Sequence, residues 1–145
     1  MAETEGDRSS PLPILIALGV VGIVLIAMVV LRVVRGDEVP DEAAVGRAAV
    51  GQNDALQRED FADFQLFTCV AEQGSANQMI AAQRQSKDAR GARYVDDVKD
   101  ITVTGDRASA TVVYHFEKSE SDKVSKPMTF VRESGDWKVC SPGPR

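Results

Sequence analysis

An uncharged apolar run near the amino terminus constrains this chain more than any other feature. The run PLPILIALGVVGIVLIAMVVL occupies residues 11–31 and contains no Asp, Glu, Lys or Arg. As a helix, residues 12–31 would span about 30 Å, which is the thickness of the hydrocarbon core of a bilayer. The sequence therefore predicts a tail at residues 1–11, one transmembrane helix at residues 12–34, a linker at residues 35–40 and a single domain after it.

Three alternatives to an uncleaved anchor fit the run less well. The apolar region of a cleaved signal peptide is about 7 to 15 residues long, and its leader is basic, whereas this leader has Glu3, Glu5 and Asp7 against Arg8. A lipoprotein would need a Cys directly after the run, where the sequence has RVVR. A buried core helix would need a larger domain around it.

The orientation of the anchor is open to two interpretations. Only Arg8 precedes the run, whereas Arg32, Arg35 and Arg47 follow it, and this bias would place the carboxyl-terminal domain in the cytoplasm. Large domains, however, translocate largely regardless of such charges. We therefore predict a single-pass protein of the cell membrane whose carboxyl-terminal domain is extracytoplasmic, in agreement with the cysteine content discussed next.

The two cysteines, Cys69 and Cys140, favour a disulfide. Exported domains use such bridges, and a loop of this length would stabilise the fold by about 4 kcal/mol in the chain-entropy account. The competing interpretation is two separate buried thiols in a cytosolic domain. Zinc is disfavoured because the chain offers only these cysteines and the single His115, and zinc sites use close pairs of such ligands. We predict no metal site.

The first half of the domain reads as three helices. An apolar stripe predicts a helix at residues 41–59, although Gly46 and Gly51 weaken it. Asp60 is a predicted N-cap for a second short helix, FADFQLF, which leads to Cys69. Ser75 and Gln78 predict a capping box for a third helix that ends near Gly91 and whose apolar face is thin. That thin face consists of Ala76, Met79 and Ile80.

The second half of the domain alternates with a period of two from about residue 98, which predicts strands. Glycine turns are expected at Gly105-Asp106 and Gly135-Asp136. The polar residues 117–126 are expected to be an exposed connection, and a last strand at residues 137–140 precedes the tail at residues 142–145. The sequence thus predicts an α+β domain at residues 41–141, with about three helices packed on a curved sheet of about four antiparallel strands.

Three stretches of the chain resemble a known family. EAAVGRAAVGQNDALQREDFADFQLFTC, VTGDRASATVVYHFEKS and GDWKVC are similar to the small exported NTF2-like (cystatin-like) domains of actinobacterial envelope proteins, here with one amino-terminal membrane anchor. The resemblance implies a cone between the helices and the sheet, and it assigns no catalytic residue. Gln52 departs from the family pattern, because an apolar or aromatic residue is usual at that place on the first helix.

An enzyme would use polar residues inside the cone, as some related isomerases and dehydratases do. A carboxylate or imidazole there would have its pKa tuned by the apolar surroundings. If Tyr114 and Phe116 face the core, His115 faces outward, where a lone His is ordinarily solvated. Asp97, beside Asp96, is expected in a solvated turn. The weak pocket candidates by residue type are Tyr94, Asp96, Tyr114 and His115.

A binding or accessory module is the favoured function. Its partners would be membrane lipid through the anchor and an envelope protein, a peptide or a lipid held in the cone or on the sheet face. The net charge of −5 disfavours nucleic acid. We predict no cofactor, because phosphate-loop, hydrolase, metalloprotease and EF-hand motifs are absent from the sequence. A structural anchor without a ligand is the third alternative.

Overall fold

The computed structural model describes Ile26 and residues 39–142. The chain divides into two compact units, Met1–Glu38 and Val39–Arg145. The predicted amino-terminal tail and transmembrane helix lie outside the described residues, except for Ile26. Within the described part of the chain, no helix is both long enough and apolar enough to span a membrane.

Helices come first in the domain, and strands follow. The elements are α1 (Asp41–Gln57), α2 (Phe61–Phe67), a short 3-10 helix (Val70–Glu72), α3 (Ala76–Arg90), β1 (Arg93–Thr104), β2 (Arg107–Phe116), β3 (Ser119–Glu133) and β4 (Asp136–Val139). The strands form one antiparallel sheet in the order β1-β2-β3-β4. This is the α+β arrangement of three α-helices and four strands that the sequence predicts.

The predicted helix caps are confirmed. The Asp60 side chain accepts a hydrogen bond from the backbone N–H of Asp63 at 3.0 Å. Ser75 and Gln78 form a full capping box at the start of α3, and Gly91 follows its last residue with a φ of 80°. These local signals fix where α2 and α3 begin and where α3 ends.

Three predicted boundaries are corrected. Helix α1 ends at Gln57 rather than at residue 59, because Glu59 has a φ of 57°, which stops a right-handed helix. Strand β1 begins at Arg93 rather than near residue 98. Residues 119–126 are not an exposed connection but the first half of β3, which pairs with β2 from Ser119 onward.

The inner face of β2 confirms the predicted alternation. Its buried residues are Ala108, Ala110, Val112, Tyr114 and Phe116. They join buried side chains of α1, β3 and β4 in the main core. A second, smaller cluster of Ala55, Phe64 and Met79 connects the three α-helices. The two clusters place the first core between α1 and the sheet and the second among the helices.

The predicted disulfide is confirmed. Cys69 follows α2 and Cys140 follows β4, and a bond joins them with their Cα atoms 5.2 Å apart. Beside it, the Cys69 N–H donates to the Val139 carbonyl at 2.9 Å, and Thr68 forms an isolated parallel bridge with Val139. The segment between α2 and the 3-10 helix is thereby attached to the edge strand β4.

Candidate ligand-binding cavity

A cavity of about 780 Å³ lies among the three α-helices, the start of β1 and the segment after β4. We call it the helical cavity. Its volume is in the range of about 300 to 1,000 Å³ that small-molecule sites occupy. Its lining residues are Gln52, Leu56, Phe64, Thr68, Glu72, Gln73, Gly74, Gln78, Met79, Ala82, Gln83, Gln85, Ser86, Ala89, Arg90, Arg93, Ser141 and Pro142.

Buried polar side chains of the described domain are concentrated in this cavity. Gln52, Thr68, Gln83 and Arg93 are 4, 0, 5 and 3 % exposed, and they are the buried polar or charged residues among those described. All four line the cavity. Burying a polar group is unfavourable unless it is hydrogen-bonded. The four side chains therefore make the surroundings of this cavity the polar part of the domain interior.

Gln52 and Thr68 satisfy one another. The Gln52 Nε2 donates a hydrogen bond to Thr68 Oγ1 at 2.9 Å, across the interior between α1 and the residue after α2. This bond gives the buried Gln52 amide a partner. The partner could not be predicted from the sequence, because the two residues are separated by a turn and a helix.

Gln83 lies in the wall of the cavity on α3. It makes no side-chain hydrogen bond to any residue between 39 and 142, although it is 5 % exposed. The Gln83 amide is not among the fully buried polar groups that lack a partner in the described part of the chain, so solvent reaches its donor and acceptor atoms. Gln83 follows Met79 by four residues, on the thin apolar face of α3. A polar residue on the apolar face of α3 could have indicated that this face lines a cavity, and the sequence analysis did not use it.

Arg93 brings a positive charge to the cavity as the first residue of β1. Its Nε donates to Asn53 Oδ1 at 2.7 Å, and the Asn53 Nδ2 donates back to the Arg93 carbonyl at 3.2 Å. Burial lowers the pKa of the Arg93 guanidinium to about 10, so the group remains protonated at neutral pH. These two hydrogen bonds with Asn53 hold the arginine against α1.

Arg90 adds a second positive charge at the end of α3. Its guanidinium lies 4.1 Å from the centre of the Phe116 ring, and it donates to Ser86 Oγ at 3.0 Å. The one carboxylate among the described lining residues belongs to Glu72, which is exposed. Among the described lining residues, two arginines therefore stand against one carboxylate.

An apolar surface completes the cavity. Leu56, Phe64 and Met79 line it and belong to the second core cluster. The helical cavity thus combines an apolar surface with buried amide, hydroxyl and guanidinium groups. This combination is typical of sites that hold an organic molecule with one polar end.

The weak pocket candidates from the sequence lie elsewhere. Tyr94, Asp96 and His115 come together on the sheet face opposite the helices, and Tyr114 is buried in the main core against Phe116. Asp97 pairs with Val113 within β1, not in a turn. None of these five residues is among the lining of the helical cavity.

The outward-facing candidates form a small cluster. His115 Nδ1 lies 2.9 Å from Asp96 Oδ2, the His115 and Tyr94 rings stack with centroids 5.3 Å apart, and Lys123 Nζ lies 3.6 Å from Asp96 Oδ1. The hydrogen bond from His115 lowers the pKa of the Asp96 carboxyl. His115 faces outward, as the alternation predicts, but its side chain is 19 % exposed and contacts Asp96 and Tyr94 rather than solvent alone.

Comparison with known proteins supplies no family assignment. No protein-family model matches the chain, and no curated protein matches it. Among solved structures, the chain is similar to a Campylobacter jejuni protein named as an NTF2-like transpeptidase, with 17 % identity and a TM-score of 0.47 over 65 % of this chain and 94 % of that one. It is also similar to a Streptomyces avermitilis protein named as a dehydratase of the NTF2-like family, with 19 % identity and a TM-score of 0.46 over 68 % and 90 % of the two chains.

Proposed function

We propose that this domain is a non-catalytic binding module, which holds a small molecule, or the end of a peptide or lipid, in the helical cavity. The observation that carries the proposal is the common location of four buried polar side chains in one cavity: Gln52, Thr68, Gln83 and Arg93. Gln52 pairs with Thr68 and Arg93 with Asn53, whereas Gln83 makes no side-chain hydrogen bond to a described residue, and a bound ligand can supply one.

The chemistry of the lining favours binding over proton transfer. Among the described lining residues, the groups that can titrate are Arg90, Arg93 and the exposed Glu72. An arginine stays protonated at working pH and is a poor acid or base. The Asp96–His115 pair, which has the chemistry that an isomerase or dehydratase would use, is on the other face of the sheet.

The proposal includes a place for the domain. We propose an NTF2-like domain of the cell envelope, held at the membrane by residues 12–34 and exposed on the extracytoplasmic side. The uncharged apolar run supports the anchor, and the Cys69–Cys140 bond supports an oxidising compartment. An envelope protein or lipid is the corresponding partner.

Native mass spectrometry of the full chain, extracted from its membrane in a mild detergent, tests the binding function. We expect a bound small molecule that is lost from a Gln83→Leu variant and retained by Asn77→Leu, because Asn77 is exposed on the same helix and does not line the cavity. A protein that carries no bound molecule, and retains none after incubation with an extract of its own envelope, would contradict the proposal.

Thiol labelling of intact cells tests the location. We expect Cys69 and Cys140 to react with an impermeant maleimide only after reduction. Cysteines that react without reduction, and only after the membrane is permeabilised, would place the domain in the cytoplasm.

A further inference from the structure

We infer that the helical cavity selects a neutral organic molecule with an amide head group, which pairs with Gln83 while its apolar part lies against Met79 and Phe64. The inference rests on the proposed binding function and goes further by naming the class of ligand. Three features of the lining carry it: its glutamines, the position of the Gln83 amide and the apolar surface beside that amide.

The first feature is the glutamine content of the lining. Five of the seven glutamines of the chain line the cavity, and each brings a neutral group with both donor and acceptor atoms. Gln52, Gln73 and Gln78 are engaged in hydrogen bonds within the protein. Gln83 and Gln85 make no side-chain hydrogen bond to any residue between 39 and 142, and of these two only Gln83 is buried.

The second feature is the position of the Gln83 amide. Gln83 is 5 % exposed, yet its oxygen and nitrogen are not among the fully buried atoms that lack a partner, so the amide is open to the cavity that it lines. A ligand that fills this space displaces water from both atoms. It must then supply their hydrogen bonds itself, because a donor or acceptor left without a partner opposes binding.

The arginines of the lining differ from Gln83 in this respect. Arg93 Nε donates to Asn53 Oδ1 at 2.7 Å, and Arg90 donates to Ser86 Oγ at 3.0 Å. Both arginines are thus engaged within the protein. Among the buried polar residues described in the lining, Gln83 is therefore the one on which a ligand adds a hydrogen bond to a side chain that has none.

The atoms of a glutamine amide decide which head groups fit it. An ionised carboxylate has acceptors only, so it would satisfy the Gln83 N–H and face the Gln83 oxygen with lone pairs of its own. An ammonium group has donors only, so it would satisfy the oxygen and face the N–H. A primary amide donates to the oxygen and accepts from the N–H at once, and it leaves neither atom without a partner.

The third feature is the apolar surface beside Gln83. Met79 precedes Gln83 by four residues, so the two side chains lie on one face of α3. Met79 belongs to one hydrophobic cluster with Phe64 and Leu56, and all three line the cavity. The hydrocarbon part of a ligand whose head group lies on Gln83 therefore has an apolar surface to contact.

Isothermal titration calorimetry with four matched probes tests the inference on the full chain in nanodiscs of zwitterionic lipid. The probes are phenylbutanamide, its N,N-dimethyl derivative, phenylbutyrate and phenylbutylammonium, which share one apolar group. The dimethyl derivative keeps the carbonyl of the amide and lacks its N–H. We expect phenylbutanamide to bind with a stoichiometry of one and at least about tenfold more tightly than each of the other three.

A variant without the amide separates a hydrogen bond from a change in cavity shape. Gln83→Met keeps the length of the side chain, and we expect it to bind phenylbutanamide at least about tenfold more weakly, with a preference over the dimethyl derivative of no more than about twofold. Asn77→Met removes an amide from the exposed surface of α3, and we expect its affinities to stay within about twofold of the wild type. Circular dichroism and the melting temperature confirm that each variant is folded.

Three results would overturn the inference, and they differ in what they mean for the proposed function. If another probe binds as tightly as phenylbutanamide, or if Gln83→Met binds all four probes unchanged, the cavity does not select an amide, and the binding module stands. The same holds if no probe binds and native mass spectrometry finds a bound molecule whose fragments show a charged head group. If no probe binds and no bound molecule is found, the inference and the proposed function fail together.

Discussion

Two glutamines in the wall of the helical cavity differ in what their amides contact. Gln52 donates to Thr68, which is fully buried, whereas Gln83 makes no side-chain hydrogen bond to the described residues. The first glutamine therefore stabilises the fold, because its removal would leave a buried hydroxyl without a partner. The second keeps its hydrogen-bonding groups available, which is a property of a binding residue.

Substitution of Gln52 tests the structural role. We expect Gln52→Leu to lower the free energy of unfolding by about 1 to 3 kcal/mol, because Thr68 loses its partner. The double variant Gln52→Leu/Thr68→Val removes both polar groups, and we expect it to recover most of that loss. Urea denaturation of the four proteins of this cycle measures the difference. A double variant that is less stable than Gln52→Leu would show that the hydrogen bond between Gln52 and Thr68 is not the reason why Gln52 stabilises the fold.

Asp96 gives the protein a pH-dependent contribution to stability. The hydrogen bond from His115 lowers the pKa of the Asp96 carboxyl below its ordinary value of 3.8. The unfolded chain therefore binds this proton at a higher pH than the folded protein does, so the contribution is complete above about pH 5 and is lost as the pH falls through the lowered pKa. We expect the stability difference between wild type and Asp96→Asn to shrink as the pH is lowered below about 5.

Thermal unfolding followed from pH 7 downward measures this difference. Asp97→Asn is the matched control, because Asp97 is adjacent in β1 but forms none of the ion pairs or side-chain hydrogen bonds found among the described residues. A pH dependence of Asp96→Asn that parallels the wild type would mean that the Asp96–His115 pair contributes nothing.

Single residues also show which features of the structure could be predicted from the sequence. The caps at Asp60 and Ser75 were predictable, because a cap depends on residues that are neighbours in the chain. The cavity was not, because Arg93 meets α1 and Gln83 lines the same cavity through packing that no local pattern encodes. The residue types thought to favour a site, Tyr94, Asp96 and His115, instead came together on the opposite face of the sheet.

At the scale of the element, α1 contains two glycines with different surroundings. A Cβ placed on Gly46 would meet nothing within 4 Å, whereas a Cβ on Gly51 would lie 2.6 Å from two atoms of the Phe67 ring. Both glycines weaken α1 as an isolated helix. Only Gly51 is needed, because α1 and the end of α2 approach one another there too closely for a side chain on both.

This difference predicts opposite effects of the same substitution. We expect Gly46→Ala to raise the free energy of unfolding by about 0.5 to 1 kcal/mol through helix propensity. We expect Gly51→Ala to lower it by about 1 kcal/mol or more, because the clash with Phe67 outweighs the propensity gain. Guanidinium denaturation measures both, and Gly51→Ala/Phe67→Leu should recover part of the loss. A stabilising Gly51→Ala would show that the ring of Phe67 moves aside without cost.

The first half of strand β3 was predicted to be an exposed connection, and the reason lies in its side chains. Its first half, residues 119–126, is exposed on nearly every side chain, so it lacks the alternation that indicates a half-buried strand. What holds it in the sheet is backbone pairing with β2, from Ser119 opposite Phe116 to Lys126 opposite Val112. Backbone hydrogen bonds are available to any sequence and leave no hydrophobic pattern. The alternation on β2 was read correctly because its inner face meets the core.

At the scale of the whole molecule, the disulfide joins the segment after α2 to the segment after β4, beside the helical cavity. Cys69 directly follows Thr68, and Cys140 directly precedes Ser141 and Pro142; all three of these neighbours line the cavity. The bond therefore does more than close a long loop. It holds the residue that supplies the buried hydroxyl next to the segment that leaves the edge strand.

Removal of the disulfide is thus expected to affect both stability and binding. For a sequence separation of 71 residues, the chain-entropy account gives a loss of about 4 kcal/mol in the free energy of unfolding for Cys69→Ala/Cys140→Ala. If the bond only restrained the unfolded chain, the folded variant would bind a ligand unchanged. Because the bond also positions Thr68 and Ser141, we expect the variant, at temperatures where it is still folded, to lose most of the bound molecule that native mass spectrometry detects on the wild type. Denaturation curves and native mass spectrometry on the same preparation separate the two effects, and a destabilised variant that retains the bound molecule in full would limit the disulfide to a role in stability.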